Sequence, residues 1–119
     1  MAEVTIFHNP NCSTSKFALA EAERLGVEAD VRLYLKATPT RAELLELIDQ
    51  LEDPPADLVR KDPYFKDQGL VAEDYTTPEQ VADLLVEHPR LLQRPVLVRD
   101  GRAIIGRPKD RVEPFVLAR

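Results

Sequence analysis

The sequence is poor in the residues that build disulfide frameworks and metal sites. Its 119 residues include one cysteine, two histidines, four glycines and no tryptophan. One cysteine cannot form an internal disulfide or a multi-cysteine zinc site, and the two dispersed histidines give no metal-ligand spacing. No apolar run approaches the roughly 20 residues that cross a bilayer. At this length we expect a single domain, residues 1–119, built around a hydrophobic core.

We do not expect a secretion signal either. The N-terminus carries an acidic residue, Glu3, where such a signal carries basic ones. Free thiols persist in reducing compartments. We therefore expect a cytoplasmic protein with no membrane partner.

Positive charge is scarce overall but concentrated near the C-terminus. The chain has 21 acidic and 16 basic residues, whereas residues 90–119 hold eight basic and three acidic ones. A nucleic-acid patch, a pocket for a small anion and a merely solvated surface all fit this asymmetry. The acidic total argues against a nucleic-acid partner, because nonspecific affinity comes mainly from neutralising phosphates.

The order of predicted elements is β-α-β, then helices, then β-β-α. Strands are predicted at residues 4–7 and 30–35, with Val31, Leu33 and Leu35 on one face of the second strand. A helix over 13–25 joins them, which implies parallel strands. Two capping boxes, a turn signal and a proline mark the later elements. These signals are Thr40-Arg41-Ala42-Glu43, Thr77-Pro78-Glu79-Gln80, Asp100-Gly101 and Pro108.

This order predicts an α/β fold. A parallel unit followed by a terminal hairpin and helix describes a mixed four-stranded sheet flanked by helices. The arrangement is that of the thioredoxin and glutaredoxin folds, by analogy of element order. The helices of about residues 40–90 then form an insertion between the βαβ and ββα halves.

The single cysteine lies at a chemically favourable position. Cys12 falls between the first strand and the first helix, where free N–H groups and the helix dipole stabilise a thiolate. Lys16 or a protonated His8 would add to this effect. A buried, inert cysteine is the alternative, and the polar neighbours on both sides of Cys12 argue against burial.

A second thiol is absent from the reactive segment. Position 15 is serine, so the Cys-x-x-Cys redox motif is not formed and any oxidised state of Cys12 requires an external thiol. Ser15 is either a hydrogen-bond donor to the thiolate or ordinary N-terminal helix polarity. His8 is either a group that acidifies Cys12 or a strand-end histidine bonded to the backbone.

Three arginines stand at the ends of predicted elements. Arg60 closes a short middle helix predicted within residues 56–61, Arg94 precedes the hairpin and Arg107 follows it. The guanidinium fork matches tetrahedral oxyanions in a bidentate manner, although any one of these residues alone reads as a surface arginine. A thiolate with a nearby anion pocket points to an oxyanion substrate.

Several short motifs along the chain are specific only when they occur together. These are His8-Asn9-Pro10-x-Cys12-x-Thr14-Ser15, Tyr34-Leu35, Pro39-Thr40, Val59-Arg60-Lys61, His88-Pro89, Arg94-Pro95-Val96 and Gly106-Arg107-Pro108. With this set of motifs the sequence resembles the glutaredoxin-coupled arsenate reductase family along nearly its whole length, and its C-terminal segment resembles the family's less characterised reductase-like branch.

The resemblance implies an enzyme with arsenate as its substrate. Cys12 would be the nucleophile, with Arg60, Arg94 and Arg107 as the oxyanion-binding and catalytic arginines. His8 and Ser15 would support the thiolate. The Arg94–Pro95 bond would be cis. The Cys12–arsenic adduct would be resolved by glutathione and glutaredoxin, with no bound cofactor and no metal.

Two alternatives share the fold. A glutathione- or glutaredoxin-linked thiol oxidoreductase would act on another substrate through the same nucleophile. A related branch of regulators binds RNA polymerase without catalysis. Those regulators usually carry Cys-x-x-Cys and lack an arginine at the position of Arg107, so Ser15 and Arg107 favour the enzyme.

Overall fold

A computed structural model describes residues 3–117; Met1, Ala2, Ala118 and Arg119, the last counted among the C-terminal basic residues, lie outside it. The four strands form one mixed sheet in the order β2-β1-β3-β4. β1 and β2 are parallel, and β3 is antiparallel to both β1 and β4. The strands are β1 Val4–His8, β2 Ala29–Leu33, β3 Val96–Arg99 and β4 Arg102–Ile105.

Five α-helices surround the sheet within residues 3–117. They are α1 Ser13–Arg24, α2 Arg41–Gln50, α3 Pro63–Asp67, α4 Pro78–Glu87 and α5 Val112–Val116. The two predicted capping boxes are present, with the Thr40 and Thr77 side chains accepting from the N3 backbone N–H groups. His88 ends α4, and its Nδ1 lies 2.9 Å from the Tyr64 hydroxyl.

The hydrophobic residues form two clusters, and β1 contributes to both. Val4 and Ile6 belong to the cluster that includes residues of α1 and α5. Phe7 belongs to the cluster that includes residues of α2 and α4. This alternation follows from the two-residue period of a strand, which sends successive side chains to opposite faces.

The hairpin between β3 and β4 turns through two residues with positive φ. Asp100 has φ 52° and Gly101 has φ 77°, as a type I′ turn requires. The prediction from the Asp-Gly pair is therefore confirmed. The turn fixes the register in which Val96 pairs with Ile105.

The second strand differs from its prediction. β2 ends at Leu33, two residues earlier than expected, and Val31 and Leu35 are 42% and 46% exposed. β2 lies at the edge of the sheet, where fewer neighbours cover it. The alternation of apolar residues in its sequence therefore does not mark a fully buried face.

The segment after α2 also differs from its prediction. The 3₁₀ turn at Pro55–Leu58 ends before Arg60, so Arg60 lies in the link to α3 rather than at a helix end. α3 itself was not predicted, although Asp62 before Pro63 is an N-cap signal. At the C-terminus, Pro108 precedes a 3₁₀ turn at Lys109–Arg111, and α5 begins only at Val112.

Within residues 3–117, no helix combines the length and the apolar character needed to span a membrane.

Candidate active site

One edge of the sheet brings together groups that are far apart in the sequence. The loop that carries Cys12 leaves the carboxyl end of β1, and the segment that contains Arg94 enters β3 beside it. The Gly106 N–H donates to the Pro95 carbonyl at 2.8 Å, which extends the pairing of β3 with β4 to this edge. Arg107 therefore lies next to Arg94 and beside the loop of residues 9–12, here called the cysteine loop.

Cys12 is the N-cap residue of α1. Its backbone is extended, with φ −109° and ψ 120°, and its carbonyl accepts from the Lys16 N–H at 3.0 Å. The residue is only 8% exposed, so the expectation that polar neighbours would keep it open is wrong. The groups that cover the sulfur are themselves polar and charged.

Those groups make the thiol acidic. Burial by itself raises the pKa of the Cys12 thiol. The backbone N–H groups of Ser15 and Thr14 and the guanidinium groups of Arg94 and Arg107 lower it by more, so the pKa lies below the ordinary thiol value. This direction agrees with the prediction from the position of Cys12 at a helix N-terminus.

His8 and Ser15 contact each other rather than the sulfur through their side chains. His8 Nδ1 lies 2.6 Å from Ser15 Oγ, and Ser15 Oγ also accepts from the Asn9 N–H at 3.0 Å. Burial, followed by the charge of Lys16, lowers the pKa of His8, so the imidazole is neutral at neutral pH. Of the two roles left open for His8, positioning the loop is therefore favoured over acidifying Cys12 as a cation.

The pair instead fixes the loop around the cysteine. Ser15 is fully buried, and its hydroxyl ties β1 to the first turn of α1. The Ser15 group that favours the thiolate is its backbone N–H rather than its hydroxyl. Both residues thus act on Cys12 by holding the peptide N–H groups that face it.

Arg107 makes the direct contact with the sulfur. Its Nη2 lies 3.3 Å from Cys12 Sγ, while its Nε donates to the Arg94 carbonyl at 2.7 Å. Behind it, Arg111 Nη1 donates to the Arg107 carbonyl at 3.2 Å and pairs with Asp53 at 3.0 Å. The guanidinium is therefore held from the backbone side with one edge turned to the thiol.

Arg94 is held more loosely. Its Nη1 lies 3.4 Å from the Arg90 carbonyl, and its buried Nε has no hydrogen-bond partner in residues 3–117. The Arg94–Pro95 peptide bond is cis, as the family resemblance implies. The Arg107–Pro108 bond is also cis, which was not anticipated.

Arg60 is not placed on the sulfur. Its Nε donates to Asp62 Oδ2 at 3.1 Å, and its backbone N–H donates to the Leu91 carbonyl at 2.7 Å. Asp62 Oδ1 meanwhile caps α3 by accepting from the Phe65 N–H at 3.1 Å. One carboxylate thus begins a helix and orients an arginine.

A shallow cavity connects this carboxylate with the cysteine loop. Its volume is about 320 Å³, and it is lined by Asn9, Leu35, Asp62, Arg90 and Arg94. Arg60 is therefore linked, through its hydrogen bond to Asp62, to the same cavity that Arg94 lines. Of the three predicted arginines, Arg94 and Arg107 lower the pKa of the Cys12 thiol, whereas Arg60 is held by Asp62.

Sequence reasoning missed the residues that hold the arginines. Asp62, Asp53 and Arg111 orient Arg60 and Arg107 through contacts that cross the fold or begin a helix. The Asp62-Pro63 pair is a local helix-start signal that was available in the sequence. The Asp53–Arg111 contact joins residues distant in the chain, and no local pattern shows it.

The chain is similar to known proteins over nearly its whole length. A family model described as the ArsC family matches residues 7–115, a span that includes every predicted site residue. An arsenate reductase of Escherichia coli is 40% identical over 114 residues, which are 94% of this chain and 79% of that protein. The Escherichia coli K12 protein described as uncharacterized protein YfgD is 37% identical, over 96% of this chain and 97% of that protein.

A solved structure agrees with the fold. The structure of an arsenate reductase from Vibrio cholerae matches with a TM-score of 0.82 and 32% identity, covering 94% of this chain and 97% of that chain. The match confirms the predicted mixed α/β fold with its four-stranded sheet.

Proposed function

The chain belongs to the ArsC family, and on this premise we propose that it reduces arsenate to arsenite through a bond between Cys12 and arsenic. Arsenate reductase is the activity that the names of its relatives support. The observation that carries the proposed mechanism is the 3.3 Å contact between Arg107 Nη2 and Cys12 Sγ. This contact places the Arg107 guanidinium, a group that can bind an oxyanion, beside the thiolate that it stabilises.

The first step is attack by the Cys12 thiolate on arsenic. A sulfur–arsenic bond forms, and one arsenate oxygen leaves as water after taking up protons. Arg94 and Arg107 neutralise the repulsion between the two anions and stabilise the charge that develops on oxygen. Arg60 would join them through its Nη groups, because only its Nε is engaged by Asp62.

Electrons come from outside the chain. The sequence has a single cysteine, so no second thiol of this protein can release the adduct. In the proposed cycle, glutathione displaces a second oxygen from arsenic as water. A glutaredoxin thiol then takes the glutathionyl group as a mixed disulfide, which leaves two electrons on arsenic. Hydrolysis of the Cys12–arsenic bond releases arsenite and restores the thiol.

The reaction in this form requires no bound cofactor or metal. The oxidised partner is the mixed disulfide of glutaredoxin, which a further glutathione reduces. A cytoplasmic location fits the proposal, because that compartment supplies reduced thiols.

The test is arsenate-dependent NADPH oxidation with glutathione, glutaredoxin and glutathione reductase present. The wild type should turn over, and Cys12→Ser should not. Turnover that survives in Cys12→Ser would contradict the nucleophile, whereas an inactive wild type with several thiol systems would contradict the substrate. Arg102→Ala is a suitable control, because the exposed Arg102 pairs with Glu52 away from the thiol.

A further inference from the structure

Tyr34 lies at the same edge of the sheet as the cysteine loop. His8 pairs with Leu33 at the carboxyl end of the two parallel strands. Asn9 and Tyr34, the residues that follow the two strands, therefore leave the sheet side by side. Ligand sites of sheets with parallel strands form beyond these carboxyl ends.

The Tyr34 hydroxyl is buried without a partner. Tyr34 is 0% exposed, and its hydroxyl makes no hydrogen bond to any group in the described residues. Such buried hydroxyl groups nearly always find a partner, because losing water without replacement is costly. Arg94 Nε, another buried donor, shares this condition.

The surroundings of the phenol are those of the active site. Burial raises the pKa of Tyr34 most, Arg94 and Asn9 lower it, and Cys12 raises it, with the result above the ordinary tyrosine value. Asn9 and Arg94 flank the phenol oxygen without forming a hydrogen bond of normal geometry. The phenol keeps its proton at neutral pH and is available as a donor.

We propose that the Tyr34 hydroxyl is a further oxyanion-binding group, which donates a hydrogen bond to an oxygen of arsenate. Tyr34 reaches the site from β2 and Arg107 from β4, with the Cys12 loop leaving β1 between them. One anion oxygen would satisfy both the Tyr34 O–H and the Arg94 Nε–H. This inference rests on the proposed function and adds a residue to its site.

Arg94 lies beside the Tyr34 phenol, and its side chain makes a long hydrogen bond to the backbone. Arg94 lines the cavity beside Asn9, and its Nη1 lies 3.4 Å from the Arg90 carbonyl, near the upper limit for a hydrogen bond. A bound anion attracts the guanidinium toward itself, since charge-assisted hydrogen bonds are stronger than neutral ones. In the proposed complex, this movement of Arg94 brings the anion within reach of the phenol oxygen.

Tyr34→Phe tests the proposal, because it removes the oxygen and keeps the ring. Tyr75→Phe is the matched control, since Tyr75 packs edge-on against Phe65 rather than beside Cys12. Arsenate affinity would be measured as protection of Cys12 from iodoacetamide, together with kcat and KM for arsenate. Thermal unfolding without arsenate reports on the fold.

Tyr34→Phe should weaken arsenate protection about tenfold or more, as expected for a lost hydrogen bond to an anion. Its unfolding temperature without arsenate should be unchanged or higher, because the lost hydroxyl has no partner. Equal protection of wild type, Tyr34→Phe and Tyr75→Phe would overturn the role of Tyr34 alone. An unprotected wild type would overturn it together with the proposed function.

Discussion

Arg107 contacts Cys12 through one nitrogen while another nitrogen of the same guanidinium is fixed to the backbone. Nη2 lies 3.3 Å from the sulfur, and Nε donates to the Arg94 carbonyl at 2.7 Å. The backbone contact removes rotational freedom that would otherwise weaken the contact with sulfur. The cation is thereby placed before any substrate arrives, as preorganised electrostatic stabilisation requires.

Arg107→Ala should raise the pKa of the Cys12 thiol toward its ordinary value, because a nearby positive charge favours the thiolate. The rate of alkylation by iodoacetamide, measured against pH, should then rise at higher pH than in the wild type. The sign follows from the reactivity of the thiolate, which becomes the predominant form as the pH rises through the thiol pKa. Arg102→Ala should leave the profile in place; an unmoved profile in Arg107→Ala would contradict this role.

Asp62→Asn should lower kcat/KM for arsenate by roughly three- to thirtyfold, because Arg60 loses the charged partner that orients it. Asparagine still caps α3, so the free energy of unfolding should change little. Steady-state kinetics and urea unfolding measure the two effects. Asp57→Asn makes the same charge change at an exposed position, and equal kinetics of the two variants would contradict the positioning role.

Gly106→Ala should destabilise the protein by about 1–3 kcal/mol through overpacking. A Cβ at this position would stand 2.8 Å from Leu97 Cδ1 in β3 and 2.8 Å from Cγ of Pro95, the residue before β3. Activity should fall as well, since the strain falls on the residue before Arg107. Urea unfolding measures the change in stability, and Gly101→Asn is the control because asparagine tolerates positive φ. Wild-type stability of Gly106→Ala would show that the contact relaxes freely.

His8 should make the protein less stable in mild acid. Its pKa is lowered in the folded state, chiefly by burial, so the unfolded chain binds its proton more readily. The contribution of His8 is complete above its ordinary pKa of about 6.5 and is lost as the pH falls through the folded-state pKa. The free energy of unfolding, compared at pH 7.5 and pH 5.5, should fall less in His8→Gln than in the wild type. An identical fall in both proteins would contradict the assignment of a neutral, buried imidazole.

Most of the fold could be predicted because several of its elements carry strong capping or turn signals in the local sequence. The capping threonines of α2 and α4 and the Asp-Gly turn each act within a few residues, and their predictions are confirmed. The exposed face of β2 could not be read from alternation, because exposure depends on which strand lies at the edge. The sheet order is decided by contacts across the whole chain.

The site was predictable in its residue types but less so in its contacts. A cysteine before a helix implies an acidic thiol from local geometry alone, and the pKa direction agrees. The neutral state of His8 depends on burial, and the partner of Arg60 is a carboxylate two residues away rather than the thiol. Tertiary packing determines both, so the sequence pattern left them open.

The most direct test of the account is quantification of arsenite itself. Wild-type protein, arsenate, glutathione and glutaredoxin would be incubated together, and arsenite would be separated from arsenate and measured over time. The account predicts steady arsenite formation by the wild type, loss of this activity in Cys12→Ser, and dependence on both added thiols. Arsenite formation by Cys12→Ser at the wild-type rate, or none by the wild type, would contradict it.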